Sequence, residues 1–268
     1  MKRLIAILLY FGSSFSQNYP DFEIIQLNDP QPSPMFIHTM SEQNRFMGII
    51  DQDLNIQWHV RSNFMGLDFK VNQDLLSYYY KTGGAWILVN DVMREIDTLS
   101  CDGPYIADYH DMQILDNGNY ILQAYDSMFV DMSEIIEGGQ PVAWITGILI
   151  IQMFNASHEL IFEWNAWEHL NIANYTNLNL INNAIEWMHG NSIEVYNNQI
   201  LVSNRASNEI LKLDIESGEI IWHLGGPLNE FTFLNDPKQG FKMQHDVRIL
   251  ENGNITLFDN GVTHSTPI

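Results

Sequence analysis

Short runs in which apolar and polar residues alternate follow one another along most of this chain. Residues 244–261 contain two such runs on either side of the turn ENGN. An Asn-Gly pair supplies the positive φ angles that a tight hairpin turn needs, so the pattern predicts two antiparallel strands. The phrase recurs at 110–126 and is echoed at 189–205, and each of those copies begins with a histidine.

A second repeated pattern consists of two alternating runs around a turn that contains Asp or Asn. It occurs four times, at residues 48–58, 87–99, 150–164 and 210–224. Period-two alternation around a polar turn again predicts paired antiparallel strands. Because the two patterns alternate along the chain, they predict a four-stranded meander that is repeated.

A four-stranded module that recurs without helical periodicity between its copies predicts an all-β fold, a β-propeller of four-stranded blades. The predicted blades cover residues 34–60, 66–99, 108–164 and 187–224, followed by a first hairpin from residue 243. A β-sandwich is the alternative for any series of short strands, and the fixed order of the two patterns favours the propeller.

Two longer segments interrupt the predicted blades. Residues 126–146 are expected to be an insertion in the third blade, and residues 166–187 a long loop before the fourth. Such segments usually lie at one end of a propeller and shape access to it. Six blades are expected in the closed ring, so the chain, which stops after the first hairpin of the fifth blade, is expected to be truncated.

The first residues of the chain have a basic start, an apolar run and then small residues. This pattern predicts a signal peptide over residues 1–16, and no later segment is long and apolar enough to span a membrane. Residues 17–268 are then the mature propeller domain, expected to be periplasmic or secreted. Cys101 is the only cysteine, so an intrachain disulfide and a cysteine-based zinc site are not expected.

The charge of the chain bears on its partners. It has 12 basic and 33 acidic residues and a formal net charge of −21. Such a charge opposes binding to nucleic acid and to anionic membranes, because both are polyanions. A small anion can still bind where a few cations are concentrated in one pocket.

Three histidines, His110, His189 and His245, begin the first pattern and are predicted to occupy equivalent positions in three blades. The first strand of each propeller blade lines the central channel, so the three rings are expected to meet at one end of it. Arg205 ends the second strand of the blade that His189 begins, and Asn191 lies beside that histidine.

Three charged residues close to these histidines are expected to be structural. Asp111 and Asp246 each follow a histidine directly, and strand alternation turns their carboxylates away from the ring. Alternation from His245 likewise directs Arg248 away from the predicted cluster.

A resemblance to the bacterial arylsulfotransferases of the nucleotide-independent type is carried by three phrases, HDVRILENGNITLFDNG, HGNSIEVYNNQILVSNR and GEIIWHLGG. It covers most of the chain from about Tyr105 onward, and the combination is fairly specific. The resemblance implies a propeller that moves a sulfuryl group from a phenolic sulfate ester to an acceptor phenol through a sulfated histidine. By position, it implies that His245 is the nucleophile and that His110, His189 and Arg205 surround the sulfate.

The chemistry of these residue types agrees with those roles. Neutral imidazole is a nucleophile near pH 7, and a second histidine can pass a proton to the departing phenolate. Arg205 is a permanent planar cation that matches oxyanions, and Asn191 is a neutral donor. Trp167 and Tyr175, from the long loop, are expected to contact the phenol ring. No metal or cofactor is expected for this reaction.

Two other functions fit the same residues. The three histidines resemble the ligands of a divalent metal, as in propeller lyases, although Arg205 would then place a cation beside the metal. A non-catalytic exported propeller is the second alternative, with Trp164, Trp167 and Trp187 as the rim of a ligand site. The sequence does not specify the donor, the acceptor or the oligomeric state.

Overall fold

The computed structural model describes residues 33–39, 46–62, 65–262 and 264. The predicted signal peptide, residues 1–16, lies outside them. The described part is an all-β protein, whose single α-helix, Ala166–His169 (α1), has four residues. Within it, no helix has the length and apolar character needed to cross a membrane.

Each of the first two sheets is an antiparallel meander in which neighbours in the chain are neighbours in the sheet. The described strands of the first sheet are β1 (Met35–His38), β2 (Phe46–Ile50) and β3 (Ile56–Arg61). Those of the second are β4 (Met65–Asn72), β5 (Leu75–Tyr80), β6 (Ala85–Val89) and β7 (Glu95–Leu99).

The next sheets repeat this order. The third contains β8 (Ala107–Ile114), β9 (Tyr120–Val130), β10 (Ala143–Phe154) and β11 (Leu160–Asn165), with β12 (Ala184–Glu186) parallel to β10. The fourth contains β13 (Gly190–Tyr196), β14 (Gln199–Asn204), β15 (Glu209–Asp214) and β16 (Ile220–Gly225). A final hairpin pairs β17 (His245–Ile249) with β18 (Ile255–Phe258).

The first strands of successive sheets pack against one another, β1 on β4, β4 on β8, β8 on β13 and β13 on β17. Three of these contacts are bridged by a polar side chain of one first strand that accepts a backbone N–H of the next. The bridges join Asn72 Oδ1 to Ile114 N at 3.0 Å, Gln113 Oε1 to Val195 N at 2.7 Å, and Ser192 Oγ to Val247 N at 2.9 Å. This arrangement is typical of the inner strands of propeller blades, whereas a closed ring and its number of blades stay predictions.

The two Asn-Gly turns of the histidine-led hairpins have the same geometry. Gly118 and Gly253 both have φ +81°, whereas Asn117 and Asn252 use their side chains to accept the backbone N–H two residues later, at 3.0 Å. The expectation of positive φ at both residues of the pair is therefore wrong. Only the glycine takes the left-handed conformation, and the asparagine stabilises the turn as a hydrogen-bond acceptor.

The two longer segments predicted to interrupt the blades, residues 126–146 and 166–187, contain regular secondary structure. Strands β9 and β10 continue as a long hairpin that pairs Val130 with Ala143, so both ends of the segment 126–146 extend the sheet and residues 131–142 connect the two strands. The later segment contains α1, a 3₁₀ turn at Ile172–Asn174 and β12, which runs along β10. It packs on the third and fourth sheets in the largest buried cluster, which includes Trp164 and Trp187. Strand β12 ends three residues before His189 and so sets the position of that histidine.

Candidate functional site

The three histidines of the repeated phrase lie together, although they come from three sheets. His110 lies on β8, His189 directly precedes β13 and His245 begins β17. The Nε2 atoms of His110 and His189 are 3.4 Å apart, and their ring centroids are 5.0 Å apart. The ring of His245 lies 6.4 Å from that of His110. The packing of first strand on first strand therefore brings the three rings into one cluster.

Each ring is held through its Nδ1 atom. The acceptors are Asp108 Oδ1 for His110 at 2.7 Å, Glu186 Oε1 for His189 at 2.9 Å, and the carbonyl oxygen of Met243 for His245 at 3.1 Å. An acceptor on Nδ1 fixes both the orientation and the tautomer of a neutral imidazole. It leaves Nε2 as the nitrogen that is available for chemistry in all three rings.

His245 is the ring whose anchor carries no charge. A carbonyl oxygen only accepts, so Nδ1 of His245 bears the proton and Nε2 of the neutral ring bears a lone pair. Burial lowers the pKa of His245 below its ordinary value of 6.5, and the nearby His110, Arg205 and His189 lower it further. The hydrogen bond to Met243 opposes these effects. The outcome is a neutral imidazole with a free Nε2 near pH 7, which is the form a nucleophile needs.

Arg205 lies in the turn that follows β14 and adds a cation to the cluster. Its backbone N–H donates to the carbonyl of His189 at 2.8 Å, which ties the turn to the second histidine. Within the described ranges no carboxylate forms an ion pair with its guanidinium, and its charge is close enough to lower the pKa of His245. An uncompensated guanidinium beside a nucleophile is suited to binding an oxyanion.

The backbone around His245 is supported by three amide side chains. Asn208 Oδ1 accepts the N–H of Met243 at 2.8 Å, and Asn191 Nδ2 donates to the carbonyl of Gln244 at 2.7 Å. Gln244 Nε2 in turn lies within hydrogen-bonding distance of three acceptors: Ser203 Oγ (3.1 Å), Asn204 O (3.1 Å) and Glu209 O (2.9 Å). The turn that presents Arg205 therefore also sets the position of His245.

A network of charges lies beside the cluster, on the same first strands. Asp111, which is 1% exposed, accepts hydrogen bonds from Lys70, from Arg248 Nη1 at 2.8 Å and from the N–H of Ile193 at 2.9 Å. Arg248 also pairs with Asp246 at 2.9 Å. Unlike Arg205, Arg248 is thus bound by carboxylates, and the network links β4, β8, β13 and β17.

A cavity of about 350 Å³ opens beside the His110 and His189 rings. Its walls include the rings of Tyr109 and Tyr125, and its lining also contains Asp108 and Glu186, the two carboxylates that hold the histidines.

The sequence model of the arylsulfotransferase (ASST) family matches residues 87–267, which is more than half of the chain and contains the whole cluster. The chain belongs to the arylsulfotransferase family. Membership supports an arylsulfotransferase-type function in general terms. No curated protein sequence matches the chain.

Solved structures similar to this family member are distant in sequence. A protein of unknown function from Bacteroides caccae is 14% identical with a TM-score of 0.46, and the similarity covers 84% of this chain and 65% of that one. Glutaminyl cyclase from Myxococcus xanthus is 10% identical with a TM-score of 0.43, covering 84% and 80%. A catalytically inactive virginiamycin B lyase from Staphylococcus aureus is 10% identical with a TM-score of 0.42, covering 88% and 75%. At these TM-scores the similarities support no assignment of fold or function to this chain.

Three residues predicted to bind substrate in this family member have packing or hydrogen-bonding partners within the protein. Tyr175 is 0% exposed and packs edge-to-face on Trp187 at 5.7 Å, so it has no face open to a phenol ring. Trp167 packs edge-to-face on Trp187 at 5.6 Å and lines a separate groove with Glu134. Asn191, 5% exposed, uses its amide group to hold the backbone before His245. Tyr175 and Asn191 thus have structural contacts within the protein, and contact of these three side chains with the substrate stays a prediction.

Sequence reasoning missed the groups that hold and surround the histidines. Asp108 lies two residues before His110 and so on the same face of a strand, which is a signal that alternation contains. Glu186 lies on β12, whose pairing with β10 is not visible in the pattern of residues.

No set of three or more His, Cys, Asp or Glu side chains in the described part has an arrangement that would hold a metal ion.

Proposed function

We propose that this protein is an exported aryl sulfotransferase that moves a sulfuryl group from a phenolic sulfate ester to an acceptor phenol through a sulfated His245. The observation that carries the proposal is the state of His245, a neutral ring with a free Nε2 beside two histidines and an arginine without an ion-pair partner among the described residues. Family membership supports the same class of reaction.

In the first half-reaction, Nε2 of His245 attacks the sulfur atom of the donor. The N–S bond forms as the bond from sulfur to the phenolic oxygen breaks. The product is an N-sulfated imidazolium whose Nδ1–H stays bound to the carbonyl of Met243. In the second half-reaction the oxygen of the acceptor phenol attacks sulfur, the N–S bond breaks and neutral His245 is restored.

Arg205 supports both half-reactions by binding the oxygens of the transferring group. The formal charge on these oxygens changes little during transfer. The reaction therefore depends mainly on hydrogen-bond donors that are fixed at the correct positions around the sulfuryl oxygens. The guanidinium is charged at every relevant pH and is held close to His245 by the turn that also anchors Met243.

His110 and His189 supply the proton transfers. A hydrogen bond between their Nε2 atoms, which are 3.4 Å apart, requires one proton between the two rings, because Asp108 and Glu186 engage the Nδ1 atoms. This proton passes to the departing phenolate oxygen, and the pair takes one back from the acceptor phenol. The two carboxylates stabilise the imidazolium that forms when the pair holds the proton.

The decisive experiment incubates purified protein with 4-nitrophenyl sulfate and maps the mass of a sulfuryl group to a residue. We expect the adduct on His245, discharge by an added phenol, and loss of both adduct and transfer in His245→Gln. His158→Asn is the matched control, since His158 lies outside the cluster on an exposed turn with φ +62°, which asparagine tolerates. Transfer that survives in His245→Gln, or that requires an added divalent metal, would contradict the proposal.

Export is a separate part of the proposal and rests on residues 1–16. Fractionation of cells that express the full chain should place the protein outside the cytoplasm. Its N-terminus should lie near Gln17, and an intact Met1 on the active protein would contradict export.

A further inference from the structure

The cavity beside His110 and His189 has the size and the aromatic walls that an aryl group needs. Its volume of about 350 Å³ is that of a small-ligand pocket. The ring of Tyr109 stacks on His110 with centroids 4.2 Å apart and is 40% exposed. Tyr125 lies 6.4 Å from His189, and its hydroxyl donates to the carbonyl of Gly190 at 2.6 Å. Two aromatic side chains next to the acid–base pair therefore form walls on which a phenol ring can pack.

The carboxylates of the cavity outnumber its positive groups, since the proposed mechanism places one shared proton on the His110–His189 pair. The lining of the cavity contains Asp108 and Glu186 but no lysine or arginine. Arg205, the cation of the cluster, is not part of this lining and affects His245 instead. The anionic sulfuryl group of a substrate therefore faces the cation Arg205, whereas the aryl group faces the carboxylates Asp108 and Glu186.

Glu186 uses only one of its two carboxylate oxygens to hold His189. Its Oε1 holds His189, whereas its Oε2 has no partner among the described residues, and the side chain is 60% exposed at the rim. The field of the carboxylates also reaches the cavity walls. After burial, Asp108 is the next cause that raises the pKa of both Tyr109 and Tyr125, and Glu186 contributes at Tyr125. A positive group on a bound ring would be stabilised here and a negative one repelled.

We propose that this cavity binds the aryl group of the substrates and selects phenols that carry an ammonium group over those that carry a carboxylate. The inference rests on the proposed function and deepens it. Because a sulfated His245 separates the two half-reactions, the departing phenol leaves before the acceptor binds, and both rings use the same site. The selection therefore applies to donor and acceptor alike.

The first test measures binding alone, by calorimetry on the wild-type protein without a donor. The probes are 2-(4-hydroxyphenyl)ethylamine, 4-ethylphenol and 4-hydroxyphenylacetate, which differ chiefly in charge. We expect the amine to bind about fivefold more tightly than 4-ethylphenol, as one partly exposed ion pair provides, and the carboxylate to bind most weakly. Added salt should reduce the difference because it screens the charges. Equal binding of the three probes, or tightest binding of the carboxylate, would overturn the proposal.

Variants then test which residues carry the selection. Glu186→Gln keeps an oxygen that can accept from His189 Nδ1 but removes the charge, so the ratio of the affinities for the amine and for 4-ethylphenol should fall toward one. Tyr109→Leu should weaken all three probes together. Glu216→Gln, an exposed carboxylate on a turn of the fourth sheet, is the matched control and should change nothing. An unchanged preference in Glu186→Gln would contradict the assigned role of this carboxylate.

Transfer from 4-nitrophenyl sulfate to the same three phenols separates the two proposals. Turnover with 4-ethylphenol but no advantage for the amine in kcat/KM would overturn the selection and leave the transferase intact. If the three probes bind with the predicted ranking of affinities but no sulfuryl transfer occurs, the transferase proposal is overturned. The cavity is then one that binds aryl ammonium compounds.

Discussion

His110 and His189 place their Nε2 atoms 3.4 Å apart across 79 positions of the chain, and each ring is held from behind by a carboxylate. In the proposed mechanism the two imidazoles share one proton and exchange it with the substrate. The pair thus separates proton transfer from nucleophilic attack, which is assigned to a different ring.

The leaving group of the donor tests this separation. Replacing His110 with Asn should slow the release of unsubstituted phenol by about 100-fold or more, because general acid catalysis is worth that much when the phenolate is basic. The loss should be far smaller with 4-nitrophenyl sulfate, whose phenolate needs little protonation. Arg205→Gln is the comparison and should slow both donors by similar factors, since it binds the sulfuryl oxygens. Equal losses for both donors in the histidine variant would argue against a proton-transfer role.

The pH dependence of adduct formation should report His245. Burial and the nearby positive groups lower the pKa of His245, so the rate with 4-nitrophenyl sulfate should fall at a more acidic pH than for an ordinary histidine. Removing the charge of Arg205 removes one of the lowering influences, so in Arg205→Gln the acid limb should move to higher pH. The measurement is single-turnover adduct formation as a function of pH. If the acidic side of the pH–rate profile in Arg205→Gln stays in place, or moves to lower pH, this account of His245 is wrong.

Asn208 is predicted to act through the position of the nucleophile. Its Oδ1 accepts the N–H of Met243, whose carbonyl holds Nδ1 of His245. Asn208→Gly tolerates the local φ of +57° but removes the acceptor, and we expect adduct formation to slow by about tenfold or more with KM little changed. Asn208→Asp retains an acceptor oxygen and should recover most of the rate. Failure of the aspartate to recover activity would indicate that the turn acts in another way.

Asp111 should matter for stability more than for chemistry. Asp111→Asn removes the buried charge that Lys70 and Arg248 share, although the amide oxygen can still accept from Ile193 N. Breaking a buried ion pair costs about 3–5 kcal/mol, and the exposure of the two cations places the expected loss near the lower value. Urea unfolding would measure it, with Glu216→Gln as a surface control that should change the free energy of unfolding by less than ~0.5 kcal/mol. If Asp111→Asn lowers the free energy of unfolding by no more than the control does, the network does not hold the first strands together.

The repeated meander was predictable from the sequence because its causes are local. Alternation specifies which face of a strand is buried, and a glycine after an asparagine specifies where the chain turns, as at Gly118 and Gly253. The predicted third and fourth blades, 108–164 and 187–224, lie within a few residues of the observed sheets. Repeat register also predicted that His110, His189 and His245 would lie close together, as their rings do.

Only the tertiary structure decided which charged groups of different sheets pair, and which conformation the segments outside the repeat adopt. Asp111 meets Arg248 across 137 positions and Lys70 across 41, and Glu186 reaches His189 only because β12 pairs in parallel with β10. Burial of Tyr175 likewise follows from packing between two sheets and not from its own sequence context. A strand's pattern of residues determines its faces, whereas hydrogen bonds and charge pairs between sheets depend on how those sheets are arranged in space, and that arrangement distinguishes the ion-paired Arg248 from Arg205.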